Sequence, residues 1–240
     1  MIDERPDGAP GAGVLLDRNT WAVVAAYNEG EMIHEVIADL SGQGCSIVVV
    51  DDGSSDNTAE AARAAGAHVV QHPINLGQGA ALQTGIEYAL RRNASTIVTF
   101  DADGQHVASD IPVLIQALRQ SGADLACGSR FLGRAENLPP MRRAMLKLAA
   151  RLTSIHTGLR MTDAHNGLRA MTRSCAMRMQ IRQNRMAHAS EIIQQVAQLQ
   201  LRVVEAPVTI RYSAYSLRKG QKLSNSFNIL LDLAIRRLYR

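Results

Sequence analysis

Five short runs of apolar, β-prone residues alternate with stretches of helical spacing as far as Phe131, and this alternation limits the fold more than any other feature of the chain. The runs are "WAVVAAY" (Trp21 to Tyr27), "CSIVVV" from Cys45, "HVVQH" from His68, "STIVTF" from Ser95 and "DLACGSRF" from Asp124. Between them lie "EGEMIHEVIADLSGQG", "DNTAEAARAAGA", "GQGAALQTGIEYALRRN" and "ASDIPVLIQALRQSGA", each with helical patterning. Near-continuous apolar strands separated by helices mark a mostly parallel sheet covered on both faces.

Past Gly133 the pattern changes. "PPMRRAMLKLAARLTSIHTG" reads as a helix opened by two prolines, with Arg143, Lys147 and Arg151 on one face. "NGLRAMT" and "LRVVEAPVTIRY" read as strands, with the helix "MAHASEIIQQVAQLQ" between them. The expected organisation is a flexible leader over 1–18, one α/β domain over 19–212, and a tail over 213–240. With 46% apolar residues and 20% charged, the chain can bury a full core. Cys45, Cys127 and Cys175 form no CxxC pair, so reduced, buried thiols are expected, not a zinc site or a disulfide framework.

Charge is uneven. From Arg211 onward there are seven basic residues against the single acid Asp232, giving that segment +6 within a chain of net +4. An anionic partner is expected there. The slightly acidic body lacks aromatic platforms and does not describe a nucleic-acid-binding domain. In the tail, "SNSFNILLDLAIRRLYR" places Phe227, Leu230, Leu231, Ala234 and Leu238 on one helical face. Asn228 and Asp232 interrupt it, so it does not span a bilayer. It either lies on an anionic membrane or packs on protein, the body or a second subunit of a homo-oligomer. The N-terminus has no apolar h-region. The expected location is cytoplasmic, with any membrane contact peripheral and on the inner face.

In open α/β sheets, ligands bind beyond the carboxyl ends of the strands. Four polar clusters fall there: "AYNEG", "VDDGSSD", "NLGQG" and "DADGQH". Together they predict a crevice lined by Tyr27, Asn28, Glu29, Asp51, Asp52, Asp101 and Asp103. So many acids repel an anionic ligand unless a cation is bound as well. Asp101, Asp103 and the amide of Gln105 offer hard oxygen ligands for Mg²⁺ or Mn²⁺. Taken singly, each cluster has a plainer reading: Asp52 and Asp56 as turn and cap residues, Gly77 and Gly79 as a tight turn.

The four motifs "AAYNEGEMI", "VVVDDGSSDNTAEAA", "NLGQGAALQTGIEYA" and "VTFDADGQH", followed by "GSRF" and "TDAHNGLRAM", resemble the family-2 glycosyltransferases of the GT-A fold, in order and spacing. The resemblance covers about residues 20 to 212 and is nearest to the dolichyl- or polyprenyl-phosphate sugar synthases. It implies a metal-dependent, inverting transfer of a sugar from a UDP- or GDP-sugar to a polyprenyl phosphate or a cell-envelope glycan precursor. It places Ala26, Tyr27, Glu29, Asp52, Gly79, Asp101, Ala102 and Arg169 around the nucleotide-sugar, and Asp101, Asp103 and Gln105 on the metal. Arg130 would sit beside a phosphate, Asp163 near the transferring sugar and Glu191 near the acceptor. If the acceptor is a hydroxyl, Asp163 and Glu191 are the candidate bases; a phosphate needs none.

Two residues depart from the family pattern: Gln78 replaces a frequent Lys or Arg, and Leu168 replaces a frequent Phe. Gln78 keeps open a second reading, a degenerate protein that binds nucleotide-sugar or scaffolds a complex without transferring. A haloacid-dehalogenase-type phosphatase also uses DxDG, but there the second acidic strand end follows the motif, whereas here "VVVDDGSSD" precedes it. A sugar-nucleotide pyrophosphorylase needs a basic, glycine-rich loop where this chain has "AAYNEG".

Overall fold

The structure, a computed structural model, describes residues 16, 19–184, 187–213, 215 and 216. The leader, apart from Leu16, and nearly all of the tail lie outside the described residues. In chain order the elements are β1 (Thr20–Ala26), α1 (Ile33–Ser41), β2 (Ser46–Asp51), α2 (Thr58–Ala64), β3 (His68–Gln71), α3 (Gln78–Arg91) and β4 (Thr96–Asp101). Then follow α4 (Ile111–Ser121), β5 (Leu125–Glu136), α5 (Pro140–Thr157), β6 (Arg169–Thr172), α6 (Arg173–Arg178), α7 (Ala187–Gln198) and β7 (Val203–Arg211).

The strands form one sheet in the order β3-β2-β1-β4-β6-β5-β7. Successive side chains of a strand point to opposite faces, and here both faces are covered. Ala22, Val24, Val49, Val98 and Phe100 enter one core layer with α1 and α4, while Val23, Val48, Ile97 and Leu125 enter the other with α3, α6 and α7. The helices match: α1 buries Ile33, Val36, Ile37 and Leu40, and α4 buries Ile111, Leu114, Ile115 and Leu118, a one-sided apolar stripe in each case.

The mostly parallel sheet expected from the alternation is present, with β6 as its one reversed strand: it pairs antiparallel with both β4 and β5. That reversal brings the start of β6, Gly167 to Arg169, to the edge where β1, β2 and β4 end. Two features were not legible in the patterning. Strand β5 continues past Gly133 to Glu136 with a register shift against β7 between Ser129 and Arg134. Glycine is needed there because a Cβ on Gly133 would lie 2.4 Å from the Val208 carbonyl oxygen. Helix α6, only 6 residues long, is opened by Thr172, whose hydroxyl accepts the Cys175 amide; it is too short to show a period. Leu168 is fully buried in the α1/α4 core layer.

Candidate active site

The carboxyl ends of β1, β2 and β4 lie at one edge, as the alternation predicted; the reversed β6 adds its start to that edge, and a hydrogen-bond network ties the turns together. Asn28 takes a positive φ of 55°, so its amide reaches Ser54 Oγ at 2.8 Å and its side-chain oxygen accepts the Ser55 amide at 2.9 Å. Glu29 is buried; its amide donates to Thr58 Oγ1, and its Oε2 accepts the Tyr215 hydroxyl at 2.7 Å. Tyr27 stands at the rim, about half exposed, and Ala26 is buried beneath it.

Asp52 is buried and organises the loop before α3. Its Oδ1 accepts the Leu76 amide at 2.9 Å and its Oδ2 the Gly77 amide at 2.7 Å, while His72 Nδ1 lies 2.7 Å from Oδ1. His72 in turn reaches Thr84 Oγ1 at 3.0 Å. Gly77 has φ +99°, which only glycine adopts at low cost. Gly79 opens α3 against the Gln183 carbonyl, which would sit 2.1 Å from a Cβ at that position.

Asp101 ends β4 with both oxygens engaged. Gln78 Nε2 donates to Oδ1 at 3.1 Å, and His106 Nε2 lies 2.9 Å from Oδ2. Gln78, expected to replace a frequent Lys or Arg, therefore holds the carboxylate through a neutral amide. Gly167 lies so close that a Cβ on it would meet Asp101 Oδ2 at 2.2 Å. Burial pushes the Asp101 carboxyl up, but the His106 hydrogen bond and the charges of His106, His188 and Arg169 outweigh it and hold it below the ordinary value. Asp103 lies across the small, buried Ala102 and has the opposite balance: burial first, and then the Asp101 charge, raise it to about 6. Its Oδ1 accepts the Gln105 amide at 3.1 Å, and Gln105 itself is tied to β7 by accepting the Arg211 amide at 2.9 Å.

His106 belongs to this centre as well, beside the two acids and Gln105 that the motif singles out. It is buried, its ring meets Phe100 edge-on at 5.3 Å, and its backbone bridges to Ile210 of β7. The same motif spelled it out; only its distance to Asp101 was invisible.

Arg130 and Asp163, expected beside phosphate and sugar, are brought together as a buried ion pair. Arg130 Nε and Nη2 reach Asp163 Oδ2 and Oδ1 at 2.5 and 3.3 Å, the Arg130 amide adds a bond to Oδ2, and Nη1 donates to the Tyr212 hydroxyl. Burial alone would lower the Arg130 pKa; the charge and hydrogen bonds of Asp163 and Tyr212 raise it overall. Glu205 of β7 accepts the Thr162 and Asp163 amides and so fixes this loop from the other side. Glu191, expected near the acceptor, has its carboxylate on the amides of Arg182 and Gln183, at 3.0 and 2.8 Å from Oε2. Arg169 is buried at the start of β6, with Nη2 on the Ala164 carbonyl and Nη1 unpartnered.

The residues present fit a divalent cation in part. Asp101 and Asp103 are hard, anionic ligands, and the raised Asp103 carboxyl marks a negative field that a cation would relieve. Among the described residues no three His, Cys, Asp or Glu side chains form a metal-holding group, so Asp101 and Asp103 would share the ion with ligands of other kinds, such as the Gln105 amide.

A mostly parallel sheet with acidic turns along one carboxyl edge and an Asp-x-Asp at the end of its central strand is the arrangement of a GT-A-type glycosyltransferase. The fold aligns with that of glucosyl-3-phosphoglycerate synthase from Mycobacterium tuberculosis at a TM-score of 0.70 and 19% identity, over 92% of this chain and 80% of that one. Residues 21–181 match the family described as Glycosyl transferase family 2, and the chain belongs to that family. Among its relatives is a UDP-N-acetylglucosamine–dolichyl-phosphate N-acetylglucosaminyltransferase of Methanococcus voltae, 28% identical over 91% of this chain and 96% of that protein. Another is the polyprenol monophosphomannose synthase of Mycolicibacterium smegmatis, 34% identical over 61% of this chain and 58% of that protein.

Proposed function

We propose that the protein transfers a sugar from a nucleoside-diphosphate sugar to a polyprenyl phosphate, with inversion and with a divalent cation at Asp101 and Asp103. The observation that carries the donor half is the Asp101–Asp103 pair itself, two acids held against each other at the edge where a diphosphate would lie. When bound, Mg²⁺ or Mn²⁺ supplies charge neutralisation of the departing diphosphate. The named relatives support the acceptor class.

The site also favours a phosphate acceptor over a hydroxyl. A hydroxyl must lose a proton to a base within hydrogen-bond reach. Both candidate bases are occupied: Asp163 by the Arg130 guanidinium, Glu191 by two loop amides. A phosphate acceptor is already anionic, and catalysis then reduces to positioning donor and acceptor and holding the leaving group. In this reading Tyr27, Ala26 and Glu29 border the nucleoside, and Asp52 acts by shaping the loop that ends at Gly79. Ala102 keeps the two acids close, Arg169 borders the nucleotide-sugar, and Arg130, held by Asp163 and Tyr212, sits beside a phosphate. Gln105 contributes through the turn it closes on Asp103.

Calorimetric titration of UDP and of GDP, with Mn²⁺ and with excess chelator, tests the donor half. One nucleotide is expected to bind only with metal. No binding of either would overturn the transferase reading, and metal-dependent binding without turnover would favour the degenerate scaffold. With the donor known, polyprenyl phosphate is expected to accept sugar and the free polyprenol to accept none.

His106 provides a sharper check on the metal site. Groups that orient a metal ligand typically cost 10–100-fold in metal affinity when removed. His106→Ala is expected to weaken Mn²⁺ binding by roughly that factor, read directly from the paramagnetic signal of free Mn²⁺. His106→Gln keeps a side-chain donor and is expected to recover part of the loss. Equal affinity in all three proteins would remove His106 from the site.

A further inference from the structure

Strand β7 buries alternate side chains, Ala206, Val208 and Ile210, and the period continues one residue past its end to Tyr212, which is 3% exposed. The Tyr212 amide still donates to the Glu136 carbonyl of β5, so the backbone there remains zipped to the sheet. Packing alone asks for one more apolar side chain at this position. The hydroxyl is the addition, and a buried hydroxyl needs a partner. Its partner is Arg130, whose Nη1 donates to it.

Arg130 stands in the stretch of β5 where pairing with β7 is broken. The register runs to Ser129 opposite Pro207 and resumes at Arg134 opposite Thr209. The ladder therefore does not set the direction of this side chain. Asp163 takes one edge of the guanidinium, with Nε at 2.5 Å and Nη2 at a longer 3.3 Å. Two bonds along one edge leave the group able to pivot about that edge. The Tyr212 bond on Nη1 is the third point, and it fixes the plane. A guanidinium has five N–H groups; three are used in this way, which leaves one on each terminal nitrogen. Such a coplanar pair suits two oxygens of a phosphate.

We infer that Tyr212 is a positioning residue whose hydroxyl aims Arg130 at the phosphate of the acceptor. It acts through Arg130 and not by contact with substrate. Its own place is set from several sides. The ring belongs to the α1/α4 core layer, and the Arg142 guanidinium of α5 lies 5.1 Å from the ring centre. Just past it, Ser213 and Ser216 exchange amide-to-hydroxyl bonds at 3.0 Å, which pins the chain on that side. The inference rests on the phosphate acceptor proposed above; the geometry that joins Tyr212 to Arg130 stands without it.

The test uses the full chain and farnesyl phosphate, a short polyprenyl phosphate, with farnesol as the control that lacks the phosphate. In calorimetry the wild type is expected to bind the phosphate more tightly than the alcohol. Tyr212→Phe keeps the ring and its packing. It is expected to weaken farnesyl phosphate binding by about 10-fold or more, the effect of one hydrogen bond to a charged group. Farnesol binding and nucleotide binding in Mn²⁺ are expected to stay at the wild-type level, and in transfer KM for the acceptor rises while kcat holds. A merely structural role would instead weaken nucleotide and acceptor together. Arg130→Lys supplies a second check. In that background Tyr212→Phe is expected to add little, since Lys lacks the planar fork that the hydroxyl aims. Equal farnesyl phosphate affinity in wild type and Tyr212→Phe would overturn the inference, as would an equal loss with and without Arg130→Lys. A wild type that binds no farnesyl phosphate would overturn the acceptor reading and this inference with it. A wild type that binds farnesyl phosphate but no nucleotide would overturn the donor reading alone.

Discussion

Replacing Asp103 by Asn is expected to abolish metal-dependent nucleotide binding while stabilising the metal-free fold. The first effect follows from removing one of the two carboxylates proposed to hold the cation against the diphosphate. Metal bridging contributes several kcal/mol, so a loss of about a thousandfold in nucleotide affinity is expected in Mn²⁺, by calorimetry. The second effect follows from the Asp103 carboxyl, which burial and the neighbouring Asp101 charge raise to about 6 in the folded chain. A carboxyl raised on folding binds more protons in the native state than in the unfolded one. Its contribution therefore favours the fold in acid and is lost as pH rises from about 4 to 6. In chelator at pH 7.5, Asp103→Asn is expected to gain on the order of 1–2 kcal/mol, allowing for solvent screening, and to gain little at pH 4. Denaturant unfolding at the two pH values measures it. A variant less stable at pH 7.5 would mean that Asp103 is already paired in the metal-free protein.

What the sequence shows and what it hides follow from how local each signal is. Strand β1 is legible because Trp21 to Ala26 are continuously apolar and end at a polar turn; α1 and α4 are legible because four apolar residues recur at helical spacing. The carboxyl edge is legible because the strand-to-turn boundary and the topology rule coincide at Asp51 and Asp101. The reversal of β6 is hidden, since a four-residue strand carries no mark of its direction. Also hidden are contacts made across long stretches of chain. Arg130 meets Tyr212 across 82 positions, and Glu29 meets Tyr215 across 186. The motifs could name Arg130, Asp163 and Glu191 as charged residues near a site. They could not say that two of the three face each other, or that the third closes a loop.

That distinction governs the last expectation. Asp163→Ala is expected to destabilise the fold by about 3–5 kcal/mol, because it leaves the Arg130 guanidinium buried with the Tyr212 hydroxyl as its remaining side-chain partner. For a chain of this size such a loss lowers the melting temperature by roughly 10 °C. Replacing both partners, Arg130→Met with Asp163→Leu, removes the uncompensated charge and is expected to recover most of the stability. Transfer separates the two roles that Asp163 could have. If it serves by holding Arg130, Asp163→Asn lowers stability and transfer together, and the loss of transfer shrinks as the assay is cooled well below the melting temperature. If it acts on the acceptor as a base, Asp163→Asn removes transfer at every temperature, including those at which the variant is fully folded. The bidentate geometry and the burial of both groups favour the first outcome, and the second would return the acceptor to the hydroxyl class.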